Sequence, residues 1–313
     1  MAADSGPGPA PGFVDLHCHG GAGAAFDDAS PEGIAAALAL HAAHGTQHVV
    51  LSLVSAPVAI LAQRLRVLRE LVPALPPAVG IHLEGPFLAP GRAGAHDPAA
   101  LTHPDAALVD ALIEAGGPAL RIVTLAPELP GALDAIGRFV DAGVVVAVGH
   151  TEAGYDLAAA AFDRGASLLT HAFNAMPGLG HREPGPVGAA LRREHAVLEV
   201  IADGHHLHDA VIATLFAAAP GRIALVTDAM AAAGGPDGRY VLGARDVEVR
   251  GGVARLAGTD TLAGSTLTLD RAIERAVGAG VAREAALAAA TLTPARVLGL
   301  TSPRYSVPAR RDR

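Results

Sequence analysis

The segment VVVAVGH, Val144–His150, decides the reading of the fold. It is apolar and β-branched without alternation, the pattern of a strand covered on both faces, and it ends in a histidine. Seven other runs share its character: Phe13–His19, Thr46–Val54, Ala78–Phe87, Leu120–Ala126, Ser167–Asn174, Leu198–Ala202 and Ile223–Thr227. Segments rich in Ala, Leu, Glu and Arg separate them. Ser30 is placed to cap the first helix, with Pro31 at its first position and Gly45 at its end. Further helices are expected over Val58–Leu71, Asp105–Ala115, Leu129–Ala142, Ala153–Arg164 and His208–Ala218.

Eight fully covered strands alternating with helices predict an α/β fold, a (β/α)8 TIM-like barrel. A doubly wound open sheet is the alternative. It would collect its site at one switch point, whereas candidate site residues here recur from the first strand to the last. After the eighth strand the rhythm changes. VEVRGGVARL, Val247–Leu256, alternates apolar and polar residues around Gly251–Gly252, so a β-hairpin is expected as an insertion at about residues 240–257. Helical segments near Thr268–Val277 and Arg283–Ala290 follow. The barrel is expected to occupy residues 13–300, with a disordered segment over 1–12 and a polar, basic tail over 301–313.

The 313 residues include 51% hydrophobic ones, enough for a large core. A net charge of −8 and the lack of a basic run argue against nucleic acid as a partner. One cysteine, Cys18, excludes an internal disulfide framework and is compatible with a reducing compartment. The first residues, MAADSGPGPAPG, do not read as a signal peptide. The apolar stretch around His48–Ala62 is broken by Ser52, Ser55 and Pro57, so it does not read as a membrane span. The expectation is a cytoplasmic protein.

In a parallel barrel the C-terminal strand ends share one face, where side chains from distant segments can meet. His17 and His19 project from the same side of their strand, since side chains alternate with a period of two. Cys18 between them faces away. Glu84 ends GIHLEGPFL, and a carboxylate at an apolar strand end needs a metal, an ion pair or hydrogen bonds. His82, two residues earlier, can support it. His150, His171 and Asp228 close their own strands. Together they form a plausible ligand set for a divalent metal. His41, His44 and His48 lie away from that rim, and His103, His195 and His208 read as surface residues. His205 and His206 follow the seventh strand, where one can face the site.

DLHCHGG, HLEGPFLAPGRAGAH, GHTEA, THAFNAMPGLGHREPG, IADGHHL, LVTDAM and TLAGSTLTLD, in that order from about Gly12 to Gly299, resemble the N-acetylglucosamine-6-phosphate deacetylase family of the amidohydrolase superfamily. The resemblance implies a metallo-dependent hydrolase barrel that releases acetate from N-acetylglucosamine 6-phosphate. It implies Glu84, His150 and His171 as ligands of the main metal, zinc or iron. His17 and His19 would hold a second, giving one or two ions per subunit, with Glu84 able to bridge them. Asp228 would be the catalytic acid/base, and His96, beside Ala95, would assist at the acetyl carbonyl. Asn174 and Ala175 would contact the sugar, Arg182 and His206 the phosphate, and Leu262, Ala263 and Gly264 would form a loop against the sugar. Arg182 would reach the neighbouring active site of a homodimer.

The family also carries terminal β-segments that form a small β-sandwich, which this sequence is not expected to contain. Barrel surface covered by that sandwich would then be exposed. Two other readings share the motifs: an amidohydrolase for a different N-acyl sugar or cyclic amide, and a catalytically silent barrel that binds a sugar phosphate.

Overall fold

The computed structural model describes residues 12–28 and 30–300; all but the last residue of the segment expected over 1–12, and the whole tail over 301–313, lie outside them. Eight strands run parallel in chain order: β1 Phe13–Cys18, β2 Thr46–Val54, β3 Ala78–Glu84, β4 Leu120–Leu125, β5 Val145–Val148, β6 Leu168–Leu169, β7 Val197–Ile201 and β8 Ile223–Val226. The ring closes just beyond the ends of β8 and β1. Asp228 N–H donates to the His17 carbonyl at 2.8 Å, and His19 N–H donates to the Ala229 carbonyl at 2.7 Å. The barrel fold is therefore as the sequence predicts.

Helices α1 Pro31–Ala43, α2 Val58–Leu71, α3 Ala106–Gly116, α4 Ala132–Asp141, α5 Tyr155–Asp163, α6 Gly185–Leu191 and α7 Asp209–Ala218 follow the first seven strands; α8 Leu269–Gly278, α9 Arg283–Ala290 and α10 Leu292–Val297 come after the insertion. Ser30 does cap α1, its Oγ accepting Gly33 N–H at 3.3 Å, and Pro31 opens the helix. Such a cap stabilises by about 1 kcal/mol. Between sheet and helices lies the main core, including Phe26, Phe87, Phe139 and Phe162, each almost fully buried. Each contributes on the order of 2–3 kcal/mol of apolar burial.

Two expectations need correction. The sixth strand, expected over Ser167–Asn174, pairs only at Leu168–Leu169. The chain then turns sharply, with His171, Phe173 and Ala175 all at positive φ (25°, 76° and 51°). The apolar run continues because Thr170, His171 and Ala172 stay buried past the paired residues, a cause that periodicity does not separate from a strand. The hairpin insertion is instead a three-stranded antiparallel meander, β9 Gly238–Leu242, β10 Arg245–Arg250 and β11 Val253–Leu256. Its second turn is the expected one: Gly251 and Gly252 both take positive φ (59° and 76°) between the paired residues Arg250 and Val253. β9 escaped notice because it is mostly exposed and lacks a clear alternation.

The meander packs on the barrel mouth through a second apolar cluster, which joins Val54 of β2 and Met230 to Leu242, Val247, Val249 and Leu256. Gly243 allows this close approach, since a Cβ there would lie 2.5 Å from Val54 Cγ2.

Candidate active site

The strand ends open into a cavity of about 360 Å³ whose deep wall carries His19, Glu84, His96, His150, His171 and Asp228. His17 lies directly beneath, fully buried. At the centre is Glu84, whose two carboxylate oxygens face two groups of imidazoles. Oε1 lies 3.0 Å from His150 Nε2 and 3.1 Å from His171 Nε2. Oε2 lies 3.1 Å from His19 Nε2, 3.2 Å from His96 Nε2 and 3.5 Å from His17 Nε2. Asp228 Oδ1 closes the ring at 3.4 Å from His19 Nε2 and 3.6 Å from His17 Nε2.

The outer ring nitrogens decide where the imidazole protons sit. His150 Nδ1 faces the Arg92 carbonyl at 2.8 Å, an acceptor only, so Nδ1 carries the proton in the neutral ring and Nε2 presents a lone pair. His17 Nδ1 faces Glu199 Oε2 at 3.1 Å, with the same consequence for its Nε2. These lone pairs point at one another's neighbours: His17 Nε2 is 3.1 Å from His19 Nε2, and His150 Nε2 is 3.0 Å from His171 Nε2. Lone pairs gathered around a carboxylate repel unless a proton or a cation lies between them. Imidazole nitrogen and carboxylate oxygen are the donors zinc and iron accept. The residues therefore fit a divalent metal, with donors on both oxygens of Glu84.

His96 has the opposite polarity. Ser55 N–H donates to its Nδ1 at 3.1 Å, which leaves the proton on Nε2, directed at Glu84 and the cavity. Burial outweighs the neighbouring Glu84 charge and lowers its pKa to about 4, so it is a neutral N–H donor near pH 7. Burial would raise Glu84, but the surrounding histidines, His17 first, hold it well below the ordinary carboxylate range. His17 moves the other way: burial opposes its charge, yet Glu84 and Asp228 lift it well above the ordinary imidazole value.

Three of these residues sit on unusual backbone. His150, His171 and Asp228 have φ of 46°, 25° and 49°, in the left-handed region. Non-glycine residues there cost on the order of 1–3 kcal/mol each. The turns point these side chains into the cavity just as each strand ends. Asp228 is held by Ser265 N–H, which donates to its carbonyl at 2.7 Å.

Of the other sequence-derived residues, Ala95, Asn174, Ala175, His206, Leu262 and Gly264 line the cavity. Ala263 does not; it is buried in the apolar cluster behind the wall. Arg182 is exposed and does not line the cavity of its own chain. His206 is oriented by Asp203, whose carboxylate takes His206 Nδ1–H at 2.7 Å and His206 N–H at 2.9 Å. Although burial works against it, these bonds lower Asp203 to about 2. His103, His195, His205 and His208 are exposed.

Sequence reasoning missed Glu199, which is fully buried in β7 and bonds both His17 Nδ1 and, at 3.2 Å, His171 N–H. Its signal was available: a carboxylate inside the apolar run VLEVI is costly unless partnered. Arg92 was also missed; it lines the cavity and its backbone anchors His150. His82, expected to support Glu84, instead bonds into a buried chain of hydroxyls. Its Nδ1 meets Ser52 Oγ at 2.9 Å and its Nε2 meets Thr124 Oγ1 at 2.8 Å, which in turn lies 2.8 Å from Thr170 Oγ1. His41 is away from the rim, as expected, but buried. It packs behind β1, with Nε2 3.3 Å from Cys18 Sγ and 3.0 Å from the Gly20 carbonyl.

A closed parallel barrel with histidines and carboxylates converging at its strand ends defines the metal-dependent hydrolase barrels. The chain belongs to the amidohydrolase family, whose model matches residues 10–303. It is 42% identical over 295 residues to N-acetylgalactosamine-6-phosphate deacetylase of Escherichia coli O157:H7, covering 93% of this chain and 78% of that one. It is 38% identical to N-acetylglucosamine-6-phosphate deacetylase of Bos taurus, covering 93% and 74%. Among solved structures it matches N-acetyl-D-glucosamine-6-phosphate deacetylase from Mycobacterium smegmatis, as a variant in complex with N-acetyl-D-glucosamine-6-phosphate. The TM-score is 0.91 with 43% identity, covering 96% of this chain and 82% of that one. No helix among the described residues is long and apolar enough to cross a membrane.

Proposed function

We propose that this enzyme hydrolyses N-acetyl-D-glucosamine 6-phosphate to D-glucosamine 6-phosphate and acetate. The observation that carries the reading is Glu84 set between two groups of imidazoles at the floor of a sugar-sized cavity, with Asp228 and the His96 N–H beside it. Relatives named for this activity share the barrel and more than a third of the sequence.

Glu84, His150 and His171 would hold the main divalent cation, and His17 and His19 with Glu84 a second one. When bound, such a cation supplies Lewis acidity, making water a better nucleophile and an amide carbonyl more electrophilic. Water adds to the acetyl carbon as Asp228 takes its proton. The C–N bond then breaks as Asp228 returns that proton to the departing sugar nitrogen, leaving acetate and the amine. The neutral His96 donates its Nε2–H toward the carbonyl oxygen, where negative charge develops in the transition state. Asn174, Ala175, Leu262 and Gly264 position the sugar ring. His206, held by Asp203, meets the phosphate with its free nitrogen.

Arg182, exposed on a loop beside the exposed Leu179, is suited to reach across a homodimer and grip the phosphate of the neighbouring site. A cytoplasmic setting fits the reading, because a charged sugar phosphate does not cross a lipid bilayer unaided. The test is acetate release from N-acetylglucosamine 6-phosphate, compared with its 4-epimer and with the unphosphorylated sugar. Efficient turnover that requires the phosphate is expected. Equal use of the unphosphorylated sugar would contradict the phosphate assignment.

A further inference from the structure

We propose that Val54, Leu242 and Ala95 form an acyl-binding wall that restricts the enzyme to short N-acyl groups. This rests on the deacylase reading above and deepens it. The cavity is chemically divided. Asn174 and His206, beyond β6 and β7, and Arg92 and Thr261 give polar groups to its lining, while Val54 ends β2, across the ring of eight strands from Asn174 and His206. Val54, Leu242 and Ala95 belong to one continuous apolar cluster under the meander, and all three line the cavity.

Position relative to the reacting atoms gives the wall its role. Val54 lies directly opposite Glu84 in the parallel ladder between β2 and β3. The next residue, Ser55, donates its N–H to His96. An amide whose carbonyl oxygen accepts the His96 Nε2–H in front of Glu84 lies within reach of Val54, which offers its alkyl substituent an apolar surface. In an acylated amino-sugar phosphate that alkyl group is the part without polar atoms, and Val54, Leu242 and Ala95 form an apolar patch of the lining. The wall is shallow. Val54 and Leu242 are 4% and 5% exposed, backed by the fully buried Met230, and Gly243 brings the meander turn against Val54 without room for a side chain. A methyl group can rest on such a surface; a longer chain must displace it.

The experiment compares kcat/KM for the N-acetyl, N-propionyl and N-butyryl forms of glucosamine 6-phosphate, using metal-loaded wild-type enzyme and the Leu242→Ala and Val54→Ala variants. The wild type is expected to favour acetyl over butyryl by roughly tenfold or more, and each truncation to shift that ratio toward butyryl by roughly tenfold. Leu242→Val provides a smaller shift in the same direction if Leu242→Ala does not fold. Release of acetate with an unchanged acyl preference in the folded variants would overturn the wall while leaving the deacetylase reading intact. No acid released from any of the three by the wild type would overturn that reading, and the wall with it.

Discussion

Strand β1 separates two clusters built from the same kinds of residue. On its inner side His17 and His19 meet Glu84 and Asp228 at the cavity floor. On its outer side Asp15, Cys18 and His41 lie close enough together to resemble another ligand set. Their neighbours make the difference. Asp15 already accepts Thr227 Oγ1–H at 2.6 Å and Thr227 N–H at 3.2 Å, and His41 Nε2 faces the Gly20 carbonyl. That cluster is buried behind the sheet and does not line the cavity. Inside, imidazole lone pairs face a carboxylate at contact distance and the cavity reaches them. Ligand-type residues make a reactive site where the fold leaves their donor atoms uncommitted and accessible; elsewhere they are packing and hydrogen bonds.

The largest effect expected from this contrast is at Asp228. Asp228→Asn should lower kcat by roughly 10²–10⁴-fold while metal content stays near wild type, as read by steady-state kinetics with elemental analysis. Turnover close to wild type would remove the proton carrier from the inner cluster. Next is Glu199, which touches two of the imidazole residues but not the cavity. Glu199→Gln should weaken metal affinity by about 10–100-fold in a competition titration with a chelator, and unchanged affinity would demote it to packing.

Asp203→Asn should raise KM for the phosphorylated substrate by about tenfold with a smaller change in kcat, because removing one such charged hydrogen bond costs about 1.5–3 kcal/mol. Asp203 also sets an acid limit. Its pKa is depressed to about 2 from an ordinary 3.8, so its stabilisation is present above about 3.8 and is lost as pH falls toward 2. The amount is roughly 2 kcal/mol. Thermal melts of wild type and Asp203→Asn should therefore converge through that window; a constant gap would rule out this linkage. The smallest effect is expected on the outer side. Cys18→Ala should leave metal content and kcat unchanged and cost about 1–2 kcal/mol of stability in denaturant unfolding. Loss of metal in that variant would erase the distinction between the two clusters.

Much of this was legible in the sequence. The unalternating apolar runs specified a parallel barrel, and the histidines and carboxylates at or near their ends marked the inner cluster, with His17 and His19 both at the end of β1. Residues whose partners only the fold brings together were less so, although the need of Glu199 for a partner is visible in VLEVI. Glu199 sits mid-strand, His41 reaches Cys18 from a helix, and Arg92 acts on His150 through its carbonyl. The positive φ of His150, His171 and Asp228 leaves no trace in composition, since glycine is the usual marker of that conformation. The short β6 and the first meander strand, β9, escaped for a related reason: burial without pairing imitates a strand, and an exposed edge strand lacks the apolar alternation that announces one.

The proposed reaction requires that the cluster around Glu84 hold a divalent cation during deacetylation. The most direct measurement is acetate release from N-acetylglucosamine 6-phosphate by chelator-stripped protein during titration with zinc or ferrous iron. Activity absent at the start and rising in proportion to metal bound is the expected result. Full turnover by the stripped protein, or metal bound at the cluster with no acetate released, would contradict it.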